Sequence, residues 1–335
     1  MSHVVILDTK SEAEIELWQR LAKPMGLEVS ALSEVNDEAL SGLLKDADAV
    51  IVQKRPLTTE LIKAAPELKI VQKMSNRRDK IDVNTAKEQD VAVALMPMQG
   101  CIAVSEHVFS LMLACAKKTV LGHHYTVTGA YRDMGVEPKV TTERSHGFQW
   151  MKIPNLEELN GLTLGICGFG EIGNEVAKRA NAFNMKVVYY DLNRLDEDLE
   201  EELCVTYADK DDLLKQSDFV TIHMPLNEHT EGFISSHELE IMKPTAYLIN
   251  CSRGGTVDEE AFVKAMQEKQ IAGAGFDVFV LEPIPFDHPY LSLENVTYSP
   301  HIGGGKGGAR ERQPRSVLEN IRKFLNGEKP ENRIC

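Results

Sequence analysis

The chain has 335 residues, with 37 lysines and arginines against 51 aspartates and glutamates, and its formal net charge is −14. The length exceeds what one hydrophobic core usually organises, so we expect about two domains of roughly 150 residues each. With 43% hydrophobic and 26% charged residues, the composition is that of a folded globular protein and excludes wholesale disorder. The negative total repels phosphate backbones and anionic lipid, so we expect neither nucleic acid nor a membrane surface as partner.

The cysteines and the N-terminus indicate the cellular compartment in which the protein is expected. The six cysteines form no C-x-x-C pair, so we expect no metal site and no disulfide framework, which suits a reducing cytoplasm. The N-terminus passes at once into the apolar run 4–7, without the basic flank and longer apolar stretch of a secretion signal. No uninterrupted apolar run approaches the roughly 18 residues of a membrane-spanning helix.

Short β-rich apolar runs alternate with longer amphipathic stretches, which is the pattern of βαβ units around a parallel sheet, so the fold class is α/β. In the first hundred residues this pattern predicts four strands, at 4–7, 49–52, 68–72 and 91–95. A helix at 103–118 is apolar on two opposite sides, which predicts burial in a core or at a subunit interface. The stretch 121–160 carries scattered Gly, Pro and Thr and predicts an irregular connection.

The βαβ rhythm resumes near residue 162 and fills the second half. It predicts six strands, at 164–167, 186–190, 219–223, 246–250, 273–277 and 296–298. Six strands suit a complete dinucleotide-binding fold. A last helix at 316–325 ends at Asn326-Gly327, a helix stop signal. The acidic run 196–202 is predicted to be a solvated surface.

A glycine-rich loop joins the first of these strands to a helix. The sequence Gly168-Phe169-Gly170-Glu171-Ile172-Gly173 matches G-x-G-x-x-G, with a strand before it and a helical pattern after it. In this motif the glycines allow a tight turn, a close approach to pyrophosphate and helix packing, and the helix N-terminus attracts phosphate. Asp191 follows Gly168 by 23 residues, where a carboxylate would accept the ribose hydroxyls and repel a 2′-phosphate. NAD is therefore expected over NADP, although the nearby Arg194 leaves the strictness of that choice open.

Arg253, Glu282 and His301 lie in segments that follow consecutive predicted strands. Open α/β sheets bind ligands at the carboxyl ends of their strands. Reducing a 2-oxo acid needs a cation to hold the carboxylate and polarise the carbonyl, and an acid to protonate the alkoxide. Arg253 and His301 match these needs, and Glu282 would favour a charged imidazole. Each residue alone could be structural, but together, after a nucleotide loop, they indicate an oxidoreductase.

At this point the chain resembles the D-isomer-specific 2-hydroxyacid dehydrogenase family over essentially its whole length. The resemblance implies a Rossmann NAD-binding domain at 101–300, inserted into a flavodoxin-like substrate domain formed by 1–100 and 301–335. It also implies a homodimer through the NAD domain, consistent with the doubly apolar helix. The matching segments are 100–107 with Glu106-His107, 168–173 with Asp191, His223-Met224-Pro225-Leu226, the Arg253 segment, Asp277-Val278-Phe279 with Glu282-Pro283, and Pro300-His301-Ile302-Gly303-Gly304.

The resemblance also implies roles for individual residues. Arg253 would orient the substrate, Glu282 would partner the histidine and His301 would donate the proton. The expected cofactor contacts are Gly168, Gly170, Glu171, Ile172, Gly173, Asp191, His223, Pro225, Cys251, Ser252, Arg253, Asp277, His301 and Gly303. The expected substrate contacts are Ser75, Asn76, Arg77, Arg253 and His301.

The substrate loop departs from the family pattern. The family motif G-x-G-x-D-x-I-D is replaced here by residues 75–82, in which Ser75 and Arg77 stand where the glycines would be. We hypothesise that this basic loop selects a 2-oxo acid with a second anionic group, such as a carboxylate or phosphate. The alternative is that Arg77 and Arg78 face solvent or pair with acidic neighbours.

Three other functions are alternatives to a 2-hydroxyacid dehydrogenase. Formate dehydrogenases lack the acidic partner of the histidine, so Glu282 disfavours formate as the substrate. Phosphoglycerate dehydrogenases often carry a C-terminal regulatory domain, and a short form without it remains open. A dinucleotide-sensing scaffold of the corepressor type would not need Arg253, Glu282 and His301 together.

Overall fold

The structure is a computed structural model that describes residues 1–34, 36–142, 147–305 and 309–335. The chain divides into two compact units. The first consists of Met1–Ile102 together with Lys306–Cys335, and the second is Ala103–Gly305. The first unit is therefore discontinuous in sequence, with the second unit inserted between its two pieces.

In the described part of the first unit, five parallel strands form one sheet in the order β2-β1-β3-β4-β5. The strands are β1 (Ser2–Ile6), β2 (Leu27–Ser30), β3 (Ala49–Val52), β4 (Ile70–Lys73) and β5 (Ala92–Leu95). The helices between them are α1 (Glu12–Ala22), α2 (Asp37–Leu44), α3 (Thr59–Lys63) and α4 (Val83–Glu88). Successive residues of β1 enter two separate cores, Val4 on one face and Val5 on the other, so both faces are covered.

In the described part of the second unit, seven parallel strands are ordered β12-β11-β10-β9-β6-β7-β8. They are β6 (Thr163–Cys167), β7 (Lys186–Tyr190), β8 (Thr206–Tyr207), β9 (Phe219–Ile222), β10 (Tyr247–Asn250), β11 (Gly273–Phe276) and β12 (Val296–Tyr298). The helices are α5 (Gln99–Ala116), which leads into the unit, then α6 (Thr119–Thr128), α7 (Glu171–Ala182), α8 (Glu197–Leu203), α9 (Lys210–Gln216), α10 (Ser236–Ile241) and α11 (Glu259–Gln267). The chain reverses its direction of winding between β6 and β9, as in a Rossmann fold, and the predicted doubly wound α/β class is confirmed.

The C-terminal segment completes the first unit. Helix α12 (Ala309–Leu325) packs Val317 and Ile321 into the core beside β1 and β4. The buried Asn320 amide donates a hydrogen bond of 2.7 Å to the Gln72 side chain of β4. Beyond α12, Ile334 N–H donates to the Val93 carbonyl oxygen at 2.8 Å, so the last residues run along the edge of β5.

The structure differs from the prediction in four segments. The prediction missed β2 and β8, which are both short edge strands, and β8 has only two residues. The stretch 121–160 is not wholly irregular, because it contains most of α6 and a 3₁₀ helix at Ala130–Met134. The acidic run is not wholly solvated either, because the Glu200 side chain is only 12% exposed.

Helix α5 is the described segment that comes nearest to a membrane-spanning helix. Among the described residues it alone is long and apolar enough, with 18 residues and a mean hydropathy of 1.3, to cross a membrane by length and composition. Core helices pass the same test, and Val108, Leu111, Met112 and Cys115 are buried in the core of the second unit. These apolar residues of α5 therefore pack the helix against the seven-stranded sheet of the second unit.

Candidate active site

The glycine loop has the geometry that its residues predict. Gly168 follows β6 with a φ of +91°, and a Cβ on it would lie 2.7 Å from the carbonyl oxygen of His223. A Cβ on Gly173 would lie 2.5 Å from the carbonyl oxygen of Gly168, so helix α7 packs directly on the turn. No described atom lies within 4 Å of a Cβ built on Gly170. The turn is thus closed toward the sheet and open at Gly170, where a pyrophosphate needs close access to the backbone.

Helix α7 begins directly after Gly170. Glu171 and Ile172 lie in its first turn, and the N-terminus of a helix favours an anion through its backbone N–H groups and its dipole. Because His223 follows β9 and Gly168 follows β6, the loop lies where the strand order reverses. Open α/β sheets bind nucleotides at this position.

Asp191 follows β7 at the same edge. Its carboxylate accepts hydrogen bonds from Phe169 N–H at 2.7 Å and from Asn193 N–H at 2.9 Å. The first bond fixes Asp191 against the glycine loop. Each carboxylate oxygen keeps a lone pair for a ribose hydroxyl. The arrangement fits the adenosine end of NAD.

The His223 segment follows β9. Both ring nitrogens of His223 are buried, and neither has a hydrogen-bond partner among the described residues. Burial lowers the pKa of His223 to about 3, so its imidazole is neutral at physiological pH. Pro225 is exposed, and its carbonyl oxygen accepts a hydrogen bond from Thr230 at 2.6 Å.

The Arg253 segment is held by Asn250, the last residue of β10. The Asn250 amide donates to the Arg253 carbonyl oxygen at 3.0 Å, and its Oδ1 accepts from Ser252 N–H at 3.0 Å. Cys251 and Ser252 are buried, and burial raises the pKa of the Cys251 thiol. Arg253 itself is exposed and donates from Nη1 to the Ser252 carbonyl oxygen at 2.6 Å. A fixed backbone therefore presents this guanidinium at the carboxyl edge of the sheet.

Gly254 brings the Arg253 segment against the loop that carries Glu282. A Cβ on Gly254 would lie 2.0 Å from the carbonyl carbon of Phe279 and 2.3 Å from the nitrogen of Val280. These are backbone atoms, which cannot move aside as the end of a side chain could. The two loops therefore need glycine at this position to pack.

Glu282 and His301 form the central pair of the site. His301 Nδ1 lies 2.5 Å from Glu282 Oε2, and Glu282 Oε1 accepts a hydrogen bond from Phe279 N–H at 3.0 Å. Burial acts to raise the pKa of Glu282, but these hydrogen bonds prevail and hold its pKa below the usual value. With Nδ1 held by the carboxylate, Nε2 remains to serve a ligand. The His301 side chain is 46% exposed and thus accessible.

Asp277 braces the backbone that follows His301. Its buried carboxylate accepts hydrogen bonds from Ile302 N–H at 2.9 Å, Gly303 N–H at 2.8 Å and the Ser299 hydroxyl at 2.6 Å. His107 Nε2 lies 3.1 Å from the same carboxylate. Burial acts to raise the pKa of Asp277, yet hydrogen bonds from His107, Ser299 and the two N–H groups lower it to about 2.

The sequence places His107 within a family segment but indicates no role for it. It also does not indicate that Ser299 and Asn250 make hydrogen bonds that hold the site residues. Their contacts span large separations in sequence, such as the 192 residues between His107 and Ser299. The available signal was weak. Ser299 immediately precedes Pro300-His301, and Asn250 ends a predicted strand.

The expected substrate loop lies in the first unit, after β4. Ser75 is buried, and its hydroxyl oxygen accepts a hydrogen bond from Arg77 N–H at 2.9 Å. Asn76 is half-buried, and the Arg77 side chain is 34% exposed with its Nε 4.0 Å from Asp79 Oδ1. Lys73, the last residue of β4, is buried and donates to the Gln53 carbonyl oxygen at 3.1 Å. Positive side chains are therefore concentrated at this end of β4.

Comparison with known proteins identifies related chains. Residues 109–303 match the family model described as D-isomer specific 2-hydroxyacid dehydrogenase, NAD binding domain. A glyoxylate reductase from Korarchaeum cryptofilum is 36% identical over 323 residues, covering 96% of this chain and 89% of the relative. A D-3-phosphoglycerate dehydrogenase from Methanocaldococcus jannaschii is 33% identical over 334 residues, covering 99% of this chain and 59% of the relative. The solved structure of a glyoxylate reductase from Paecilomyes thermophila is 26% identical, with a TM-score of 0.56 and coverage of 99% of this chain and 98% of that one.

Proposed function

Because this chain belongs to the D-isomer-specific 2-hydroxyacid dehydrogenase family and is an NAD-dependent oxidoreductase, we propose that it reduces a small 2-oxo acid to a (D)-2-hydroxy acid, with His301, Glu282 and Arg253 as catalytic residues. The observation that carries the catalytic assignment is the 2.5 Å contact between His301 Nδ1 and Glu282 Oε2. The pair follows β11 and β12, and Arg253 follows the adjacent strand β10. The D configuration is inferred from the family.

The glycine loop and Asp191 would hold NAD. The open position at Gly170 and the N-terminus of α7 suit the pyrophosphate, and the Asp191 carboxylate suits the adenosine ribose. When bound, NADH supplies the hydride for C2 of the oxo acid.

The protein residues provide binding, charge and a proton. Arg253 would hold the substrate carboxylate and polarise the 2-oxo group, since a guanidinium binds planar oxygen pairs through two parallel N–H groups. His301 would pass the proton on Nε2 to the oxygen that becomes the hydroxyl. Glu282 keeps Nδ1 occupied and stabilises the imidazolium that donates this proton.

We propose glyoxylate as the first substrate to test, since a relative that is 36% identical to this chain over 323 residues is a glyoxylate reductase. A substrate with a second anionic group is the alternative, supported by Arg77 and by the buried Lys73 in the same unit. A phosphoglycerate dehydrogenase without the C-terminal regulatory domain would be one enzyme that uses such a substrate. Against it, Asp79 lies within 4.0 Å of Arg77 and offers that side chain a partner.

A substrate panel tests these proposals. Initial rates are measured with NADH and NADPH for glyoxylate and pyruvate, and for the dianionic acids oxaloacetate and 3-phosphohydroxypyruvate. The variant Arg77→Ala is compared with Arg78→Ala, which removes the same charge from an exposed neighbour. If the Arg77 side chain binds the second anionic group, only Arg77→Ala lowers kcat/KM for the dianions relative to glyoxylate. Equal ratios in both variants contradict a role for Arg77, and no turnover of any acid contradicts the proposed reaction.

We also propose that the protein is a homodimer joined through its NAD unit. Several large apolar side chains after α5 are exposed, including Val127 at 66%, Val140 at 88% and Phe148 at 85%. Large apolar side chains that are exposed in one stretch of the chain are typical of an interaction surface, and a second copy is the occupant proposed here. Sedimentation or light scattering at micromolar concentration should give a dimer mass, which Val127→Glu with Phe148→Glu lowers. Phe286→Glu, at a 98% exposed position elsewhere in the unit, is the control that should leave the mass unchanged.

A further inference from the structure

Arg194 is the one feature near the cofactor site whose role the sequence left open. It lies three residues after Asp191, in the loop that follows β7. An arginine near the ribose carboxylate is the residue that accommodates the 2′-phosphate in NADP-binding sites of this fold. The loop therefore carries one residue that rejects NADP, Asp191, beside one that could accept it.

In the structure the Arg194 side chain contacts Glu200 and Tyr207. Arg194 Nε donates to Glu200 Oε1 at 2.9 Å and Nη2 donates to Glu200 Oε2 at 3.1 Å, a bidentate ion pair. The guanidinium also lies over the Tyr207 ring, with the Arg194 Cζ 5.3 Å from the ring centroid. The Nε–Nη2 edge and one face of the guanidinium are thus engaged within the protein.

Glu200 is itself firmly placed. Its side chain is only 12% exposed, and Oε1 also accepts a hydrogen bond of 2.8 Å from the hydroxyl of Tyr189. The Tyr189 ring is fully buried, and its oxygen accepts a hydrogen bond from Leu195 N–H at 2.9 Å. Glu200 is therefore a fixed acceptor, in contrast to the exposed carboxylates around it on α8.

Releasing Arg194 toward a phosphate would be costly. It would separate a bidentate charge pair and leave the largely buried Glu200 carboxylate without its counterion. The only gain would be a new pair with a phosphate that Asp191 repels. Both carboxylates thus act against NADP, Asp191 by direct repulsion and Glu200 by retaining the cation.

We propose that Glu200 is a cofactor-specificity residue, which disfavours NADP by holding Arg194 in the Tyr207 and Glu200 contacts and away from the 2′-position beside Asp191. The inference concerns cofactor binding alone, so it does not depend on the identity of the 2-oxo acid or on His301.

Calorimetric titration of the cofactor-free protein tests the proposal without turnover. The probes are NADP⁺ and 2′,5′-ADP, with NAD⁺ and 5′-ADP as the matched ligands without the 2′-phosphate. Asp191→Asn removes the direct repulsion while keeping a side-chain oxygen for Phe169 or Asn193. Glu200→Gln keeps an acceptor for Tyr189 but loses the charge that retains Arg194. In the Asp191→Asn background, we expect Glu200→Gln to tighten NADP⁺ binding by about tenfold further, the effect of one charge-assisted pair.

Two controls assign the effect to Arg194. Glu201→Gln removes the same charge from an exposed position on the same helix and should give no comparable gain. Adding Arg194→Gln to the double variant should abolish the gain, while the Kd for NAD⁺ stays within about threefold of its value in the Asp191→Asn single variant.

Three results would overturn the proposal: no gain from Glu200→Gln, an equal gain from Glu201→Gln, or a gain that persists without Arg194. If Glu200→Gln does not fold, Glu200→Asp serves instead. It keeps the charge but shortens the reach, so we expect a smaller gain in the same direction, and no gain contradicts the proposal.

Discussion

His301 Nδ1 lies 2.5 Å from Glu282 Oε2, and the His301 backbone has a φ of +54°, in the left-handed region that histidine seldom occupies. Residues in this region persist where the surroundings hold them, and such residues cluster at functional sites. The Asp277 carboxylate accepts hydrogen bonds from the N–H groups of Ile302 and Gly303, and Glu282 contacts Nδ1 of the His301 ring. The imidazole is therefore fixed from both its backbone and its side chain.

Replacing Glu282 by glutamine should change the pH dependence of turnover. An adjacent carboxylate favours a protonated imidazole, so its loss should move the alkaline limb of kcat/KM for reduction to lower pH. The measurement is a pH profile of kcat/KM between pH 5 and about 9. Glu294→Gln, at an exposed position, is the control. An unshifted profile in Glu282→Gln would exclude this role for the carboxylate.

Replacing Asp277 by asparagine should loosen the His301 loop. The amide cannot accept hydrogen bonds at both former oxygens, so at least one buried N–H group loses its partner. We expect the free energy of unfolding to fall by about 1–3 kcal/mol and kcat to fall more than KM changes. Urea denaturation and steady-state kinetics measure the two effects. Ser299→Ala leaves the hydrogen bonds from Ile302 N–H and Gly303 N–H to Asp277 in place and should cost less. A larger loss in Ser299→Ala than in Asp277→Asn would contradict the proposed role of Asp277.

Replacing Gly254 by alanine should disrupt the contact between two catalytic loops. The added Cβ would lie 2.0 Å from the Phe279 carbonyl carbon, so the Arg253 and Glu282 segments must separate. We expect a large loss of kcat/KM and a lower Tm. Gly255→Ala is the matched control, because its Cβ would meet only the Leu226 side chain, at 3.1 Å, which can move aside. Similar losses in both variants would mean that the clash is not the cause.

The buried His223 should make stability fall on the acid side of neutrality. Its folded pKa of about 3 lies below that of an unfolded histidine, near 6.5, so between these values only the unfolded chain takes up the proton. The free energy of unfolding should therefore decline by about 1.4 kcal/mol for each pH unit below about 6.5, and the contribution is absent above it.

The comparison of wild type with His223→Gln isolates this contribution. Urea denaturation of the cofactor-free protein between about pH 4.5 and 6.5 should show a shallower decline in the variant. The exposed His123→Gln should follow the wild type. Identical slopes for His223→Gln and wild type would contradict the buried, neutral state of this imidazole.

The strands of the two sheets were predictable where they are buried on both faces. The run Ala49–Val52 is continuously apolar, and Phe219–Ile222 is apolar except for the buried Thr221, as is typical of central strands in a parallel sheet. The missed strands β2 and β8 lie at sheet edges, where exposed residues such as Glu28 and Thr206 interrupt the apolar pattern. Helix α6 was missed for a related reason, since none of its described residues is buried and it shows no apolar stripe toward a core.

Arg253, Glu282 and His301 could be proposed as catalytic residues from the sequence, because each follows a recognisable strand and carries a chemically reactive group. The residues that contact these segments could not be predicted. His107 and Asn250 make contacts that depend on how separate segments pack. Glu200, which pairs with Arg194, lies in an acidic run that looks uniformly solvated in sequence. The sequence therefore indicates candidate reacting groups, whereas their hydrogen-bond partners are visible only in the structure.

The most direct test of the account is the variant His301→Asn, because asparagine tolerates the left-handed backbone at this position but cannot donate the proton as imidazolium does. The measurement pairs kcat/KM for 2-oxo acid reduction with the Kd for NADH, obtained from fluorescence titration. We predict a fall in kcat/KM of about 10²–10⁴-fold with the Kd changed by less than about threefold. Turnover within about tenfold of the wild type, with NADH binding intact, would contradict His301 as the proton donor.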